Sequence, residues 1–454
     1  MKRRTFIMRS LVAGSTMGGL TITSQSAFAQ RRNETVFQET GIFDLLLKNG
    51  HVIDPANNIN QEMTDIAVTE KKIALVERNI PADQAKVTID VSGMYISPGF
   101  VDIHVHGFFN DPLCLEPGYR WVILDDMCYP SGVTTAMDTG SSGAGNFPLF
   151  KKALDKMRTR IFALLNISYT GMKGGGEQDS STFRIEPMVE MAKTYPDRIV
   201  GFKTAHYWTG QPYDSVHTPW ASVEALVEAG RKASLPVMFD FNPRPPSDSY
   251  PARSYRELIL ERGRPGDIHT HVFAAHIPTI QPDGKINPDL FKARERGFIF
   301  DLGHGAGSFV YKHAIPAIKQ GFLPDSISTD LHADNTCGPV VNMANVMSKI
   351  MNIGVPLDMV IRLSTVNPAR EINHPELGTL SIGNIADIAV FEVLNGNYSW
   401  VDSSGGRNYG DKKIQNIMTI AGGKPVFDPA GLWYSYWEDI PKNSRYWTPP
   451  VQPW

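Results

Sequence analysis

The ten residues Ser97-Pro98-Gly99-Phe100-Val101-Asp102-Ile103-His104-Val105-His106 decide how the rest of the chain is read. They form an apolar β-type run that ends in two histidines two positions apart. Side chains alternate along a strand, so His104 and His106 point the same way. Two imidazoles converging at that spacing make a good metal chelate. On its own H-x-H is a weak signal, since two exposed strand histidines would look the same. Its place, just before Gly107 at the end of an apolar strand, strengthens it.

Downstream of this stretch the run repeats. Short β-type segments fall at residues 100–106, 134–139, 161–168, 199–204, 236–241, 268–273, 298–303 and 326–331, which makes eight. Amphipathic stretches separate them, at 221–233, 254–262, 288–296 and 308–320 among others. Strands alternating with helices imply parallel strands and helical crossovers. Eight such units fit an α/β fold, a TIM-like (β/α)8 barrel over residues 98–375, with 355–372 as closing helices.

Upstream and far downstream the texture is β-rich. Leu45-Leu46-Leu47, Asn49-Gly50 and Val52-Ile53 read as a hairpin, and Glu70-Lys71-Lys72 between two apolar runs reads as another. Residues 376–391 and 414–427 return to β texture. The simplest account is a small β-sandwich composed from both ends of the chain, residues 31–97 plus 376–427. Residues 428–454 form a tail with Trp433, Trp437, Trp447 and Trp454 and several prolines, which rules out a regular helix there. It reads as an ordered packing tail in preference to a subunit contact, with a homo-oligomer left open.

The first 29 residues read as an address. A basic segment with Lys2, Arg3 and Arg4 precedes a Gly-diluted apolar run and Ala27-Phe28-Ala29, a cleavage pattern. The Arg3-Arg4 pair favours twin-arginine export to the periplasm or beyond over an ordinary signal or a membrane anchor. Its removal takes away four basic and no acidic residues, which moves the formal balance from −3 to −7. No basic run is left to neutralise phosphates, so nucleic acid is excluded as the evident partner. Nothing later in the chain reads as a membrane span. The three cysteines, Cys114, Cys128 and Cys337, are too few for a disulfide framework and read as unpaired thiols.

Chemistry in such a barrel sits at the C-terminal ends of the strands. There the fourth strand carries Lys203, the fifth Asp240, the sixth His269 and His271, the seventh Asp301 and His304, and the eighth Asp330 and His332. Each residue has an ordinary structural reading. Jointly they place one polar group per β/α unit at the same end, which scattered surface residues would not do. Lys203 is the odd member, because an ammonium would repel a metal; its ordinary reading is a snorkelling or salt-bridged lysine. His51, His217, His313 and His374 read as surface residues, and His276 is undecided.

Several stretches in order resemble the amidohydrolase superfamily. SPGFVDIHVH (97–106) is similar to its opening signature and LGTLSIGNIADIAVF (377–391) to its return strand. RPGDIHTH (264–271), FDLGHGAGSF (300–309) and GFLPDSISTDLH (321–332) resemble its deacetylase-type metallohydrolase branch, which is related to dihydroorotases. The likeness spans about residues 43–427. It implies a binuclear zinc site in which His104 and His106 bind one metal with Asp330. Lys203, carboxylated by CO2, would bridge the metals, and His271 would bind the second. Asp240 departs from the family, which usually has histidine on the fifth strand. A carboxylate still binds zinc, so two metals, one metal, or His206 as the substitute ligand all stay open. Phe108 stands where dihydroorotases carry an arginine, which argues against that activity as such.

The expected function is metal-assisted hydrolysis of an amide in a small-molecule substrate, an N-acyl amino acid or a cyclic amide, with Asp330 as the catalytic base. His206, His304 and His332 would contact substrate. Tyr169, Asn166 and Arg244 are further pocket candidates. The alternatives are an esterase acting on O-acyl hydroxy acids with the same site, or a non-catalytic metal- or ligand-binding barrel. The latter is disfavoured because Lys203 and Asp330, the bridge and the base, are both present.

Overall fold

The computed structural model describes residues 35–38, 40–108, 121–206, 220–241 and 255–440. The expected leader (1–29), Cys114, His217, Arg244 and residues 441–454 of the tail lie outside them. So do 109–120, 207–219 and 242–254, which follow three of the barrel strands.

The N-terminal segment supplies β1 (Thr35–Phe37), β2 (Phe43–Asp54), β3 (Ile59–Thr69), β4 (Lys72–Glu77), β5 (Ala85–Asp90) and β6 (Tyr95–Pro98). The barrel strands follow: β7 (Phe100–Val105), β8 (Val133–Gly143), β9 (Arg160–Asn166), β10 (Ile199–His206), β11 (Val237–Phe241), β12 (Ile268–His269) and β13 (Ile299–Phe300). These seven pair in parallel in chain order. The eighth segment, 326–331, joins both edges through parallel bridges, Asp301 with Ser326 and Val105 with Leu331. The sheet is therefore closed, as the eightfold rhythm predicts.

The crossovers are amphipathic for a readable reason. In the helix Ala221–Ala233, residues Val223, Leu226, Val227 and Gly230 are buried at helical spacing. The helix stops where Ser234 turns left-handed, φ 55°.

Inside the barrel the first halves of the strands are apolar. Val101, Ile103, Met137, Leu164, Val200, Met238 and Ile268 form one cluster, joined by Ala369 and Ile372 from the helix Val366–Glu371 and the residue that follows it. Each such side chain stabilises by about 1.5–3 kcal/mol when fully buried. This floor is rigid and leaves the opposite ends of the strands for polar groups. A cavity of about 340 Å³, lined by Leu235, Pro236, Arg264, Asp267 and Ile299 among others, also lies at the floor end.

The late strands β14 (Ile388–Val401), β15 (Arg407–Ala421) and β16 (Lys424–Phe427) return to the N-terminal unit. β6 and β14 run antiparallel, with Ile96 opposite Val390. Among the described residues, all nine strands outside the barrel thus share one mixed sheet, and Leu45, Ile66 and Ile96 share a core with Ile388, Val390 and Ile420. Both ends of the chain therefore contribute strands to this one sheet.

The hairpin at Glu70-Lys71 is present, with both residues at positive φ (49° and 69°) as a tight two-residue turn demands. The one expected at Asn49-Gly50 is absent. β2 runs straight through it with a bulge, Asn49 at φ 63°. Asn49 N donates to Asp65 Oδ1 at 2.8 Å, and a Cβ at Gly50 would lie 2.4 Å from Ile96 Cδ1. The pair serves close packing between strands, and turn chemistry alone misreads it.

His51 lies half-buried within β2, and His374 is half-buried with its ring stacked 4.3 Å from Phe162, so neither is a plain surface residue. Cys128 and Cys337 are free thiols, the first buried and the second exposed.

Candidate metal centre

The strand mouths bring six predicted residues into one unbroken run of contacts. His106 Nε2 lies 2.9 Å from Asp330 Oδ1, and the same oxygen lies 3.4 Å from His104 Nε2. His104 Nε2 is 2.7 Å from Lys203 Nζ. Lys203 Nζ is 3.3 Å from Asp240 Oδ2, which is 3.2 Å from His271 Nε2. All six side chains are buried. Donor atoms of His104, His271 and Asp330 lie within 4.8 Å of one another, a group that could hold a metal ion.

The hydrogen bonds behind the rings fix their tautomers. His271 Nδ1 is 2.6 Å from the carbonyl oxygen of Gly303, which only accepts, so the proton is on Nδ1. In the neutral ring Nε2 then carries the lone pair, and it faces the Asp240 carboxylate. Two acceptors facing each other at 3.2 Å need a proton or a cation between them. His104 follows the same logic through a hydroxyl. Thr270 Oγ1 donates to Asp301 Oδ2 at 2.7 Å and accepts from His104 Nδ1 at 2.9 Å, which turns the His104 lone pair inward. Outer partners of this kind are what a metal-binding imidazole requires. His106 Nδ1 contacts Ser141 Oγ at 3.0 Å. These residues fit a divalent cation.

Electrostatics point the same way. Burial by itself raises the pKa of Asp330, but His104, His106 and His271 together hold it below the usual carboxylate range. Burial works against charge on His271, yet Asp240 raises its pKa. His271 and Asp330 also sit at φ 60° and 51°, left-handed values that cost non-glycine residues about 1–3 kcal/mol each. Strain of this kind collects where side chains must be aimed.

The three residues expected to contact substrate fall in different surroundings. His332 is half-buried, its ring 6.3 Å from that of His106, and burial lowers its pKa. His206 Nδ1 lies 2.5 Å from the Glu177 carbonyl oxygen, with Phe183 edge-on to the ring. His304 is fully buried and both its ring nitrogens contact protein groups, Gly305 O at 3.0 Å and Lys349 Nζ at 2.9 Å. Tyr169 is exposed, whereas Asn166 is buried and donates to Glu177 Oε2 at 2.9 Å.

Sequence reasoning passes over Thr270, Ser141, Gly303, Gly305 and Glu177. Glu177 sits in the 3-10 helix Lys173–Gln178, and burial pushes its carboxyl up to about 8 while Lys203 pulls it down. The Gly-His-Gly spelling at 303–305 is the one signal that could have been read. A Cβ on Gly303 would lie 2.5 Å from His271 Nδ1, and one on Gly305 2.5 Å from Asp330 Oδ2.

The chain is similar to known proteins over most of its length. The sequence pattern of the Amidohydrolase family matches residues 310–426. A deacetylase of Enterococcus faecalis is 31% identical over 391 residues, covering 85% of this chain and 99% of that protein. Among solved structures, an adenine deaminase matches with 30% identity and a TM-score of 0.75, over 85% of this chain and all of that one. A dihydroorotase matches with 28% identity and a TM-score of 0.68, over 85% of this chain and 99% of the other. With a relative this similar over nearly its whole length, and a closed barrel carrying its polar groups at the strand mouths, the chain belongs to the amidohydrolase family.

Proposed function

We propose that the protein is an exported, zinc-dependent hydrolase that cleaves a carbon–nitrogen bond in a small molecule, an N-acyl amino acid or a cyclic amide. The observation that carries this reading is the run of contacts from His106 through Asp330, His104, Lys203 and Asp240 to His271. The deacetylase name of the Enterococcus relative favours removal of an acyl group. Export rests on Arg3-Arg4 and the Ala27-Phe28-Ala29 pattern. No helix among the described residues is long and apolar enough to cross a membrane.

His104, His106, His271, Asp240 and Asp330 would hold the metal. Lys203 would join them as a carboxylate formed on Nζ, which lies between His104 and Asp240. When bound, a divalent ion lowers the pKa of a water molecule to about 7 and polarises a substrate carbonyl. Asp330, kept ionised by three imidazoles, takes the proton of the attacking water and returns it to the leaving nitrogen. Thr270 and the Gly303 carbonyl keep His104 and His271 aimed while this occurs. His332, whose ring lies beside that of His106, would hydrogen-bond the substrate.

The test is metal analysis of the purified protein together with hydrolysis of a panel of N-acyl amino acids, cyclic amides and O-acyl esters. Lys203→Ala and Asp330→Asn are run beside the parent. The expected result is bound zinc, turnover of an amide, and a fall in kcat of about 10²–10⁴-fold in Asp330→Asn. A parent without metal overturns the mechanism. Full turnover by Asp330→Asn removes that residue as the base, and ester-only turnover moves the activity to the esterase alternative. A metal-to-protein ratio near one identifies a mononuclear site.

A further inference from the structure

Lys349 is buried in the helix Met343–Met351, and the proposed chemistry makes no use of it. Its Nζ is ringed by three acceptors: His304 Nε2 at 2.9 Å, Val401 O at 2.7 Å, and Pro339 O. An ammonium has three N–H donors, so the match is complete. A lysine in such a place is costly unless its donors are used. Burial lowers its pKa to about 7, against a raising influence of Asp402.

What Lys349 grips is His304. The proton of that ring lies on Nδ1, because Nδ1 faces the Gly305 carbonyl at 3.0 Å. Nε2 therefore accepts from Lys349, and the ring stacks 4.6 Å from Phe309. The backbone of His304 and Gly305 donates to Ser328 O and Thr329 O, directly before Asp330. The Gly303 carbonyl on one side accepts a hydrogen bond from His271 Nδ1, and Gly305 on the other packs against Asp330. One loop thus touches two metal-site residues, and its central side chain is anchored from behind.

A second anchor comes from the composite sheet. The turn between β14 and β15 presents Ser403, whose Oγ donates to Gly305 O at 3.0 Å, and Asp402, which accepts from Tyr311 N at 2.9 Å. Val401, at the end of β14, supplies one of the Lys349 acceptors. The late β segment is therefore braced against the barrel mouth.

We propose that Lys349 is a positioning residue, which with Ser403 holds the Gly303–Gly305 loop and through it the aim of His271 and Asp330. The inference rests on the hydrolase reading above. It is tested with Lys349→Met, Lys349→Gln and Ser403→Ala in the full chain, using zinc affinity by chelator competition, kcat and KM, and two-bond 1H–15N spectra of 15N-histidine-labelled protein. The His304 signals are assigned by their loss in His304→Asn. The parent should show His304 protonated at Nδ1. Lys349→Met should shift its Nε2 resonance, weaken zinc about tenfold or more, and lower kcat about tenfold or more with KM within twofold. Lys349→Gln, which keeps a donor, should recover part of both losses. Ser403→Ala should move both in the same direction by less, and it serves alone if Lys349→Met fails to fold. A parent that binds zinc and turns over, with variants that match it in zinc affinity and kcat, overturns this inference and leaves the hydrolase intact. A His304 proton on Nε2 also overturns it. A parent without zinc overturns the hydrolase reading, whatever the His304 spectra show.

Discussion

The sequence spells His-x-His twice near strand mouths, at 104–106 and 269–271, and the structure treats the two differently. Both rings of the first pair reach Asp330 Oδ1. The second pair splits. His271 faces Asp240, whereas His269 lies 5.5 Å from the ring of Tyr255 and 6.2 Å from that of Phe300, with its Nδ1 near Thr270 O. Alternation keeps i and i+2 on one face only while the backbone stays extended. At His271 the backbone turns left-handed, φ 60°, just after β12 ends at His269. The intervening Thr270 becomes the inward residue, and it aims His104. The same motif thus yields two ligand candidates in one place and one ligand candidate, one relay and one structural ring in the other.

The contrast is open to direct attack. His104→Ala and His106→Ala should each lose metal and activity by more than the ~10–100-fold typical of removing an outer partner. Kinetics and metal content would show it, and a normal metal content in either variant breaks the symmetry claimed for the first pair. In the second pair His271→Ala should behave like those two, and His269→Phe should leave kcat within about threefold, since its ring serves packing. Next in size, Thr270→Val removes the hydroxyl between His104 and Asp301. Metal affinity should fall about 10–100-fold, read by chelator competition. Gly303→Ala places a Cβ 2.2 Å from Thr270 Oγ1 at φ 49° and should cost about 1–3 kcal/mol in denaturant unfolding.

The smallest effect expected concerns acid stability. Burial lowers the pKa of His269 to about 4. Between that value and the ordinary histidine value near 6.5 the unfolded chain binds the proton and the folded one does not. Stability therefore falls as pH drops through this window. His269→Phe should flatten that fall, and urea midpoints measured from pH 7 to pH 4 would reveal an unchanged slope if the assignment is wrong.

Much of this was legible beforehand, and the reason is periodicity. Parallel strands buried on both faces spell continuous apolar runs, so the eight segments and the helix over 221–233 stand out. So does the polar residue ending each run. What escaped depends on tertiary neighbours. Asn49-Gly50 carries turn chemistry, but its glycine answers to Ile96 across the sheet. Thr270 looks like an ordinary strand polar until it is found bonded to Asp301 behind His104. Lys349 has no local signal at all. It lies on a helix whose buried residues are otherwise apolar or small, and only the folded chain brings Pro339, Val401 and His304 together around it.

The sequence by itself determined the barrel, the union of its two flanking β segments, and which residue types stand at the strand mouths, because burial patterns repeat locally every strand and every helical turn. Only the tertiary structure decided which nitrogen of each ring carries its proton, which histidine of the second pair turns inward, and what braces the loop between them. For His104 and His271 those depend on hydrogen-bond partners 166 and 32 residues away, and on a left-handed backbone at His271 and Asp330 that non-glycine residues adopt only uncommonly.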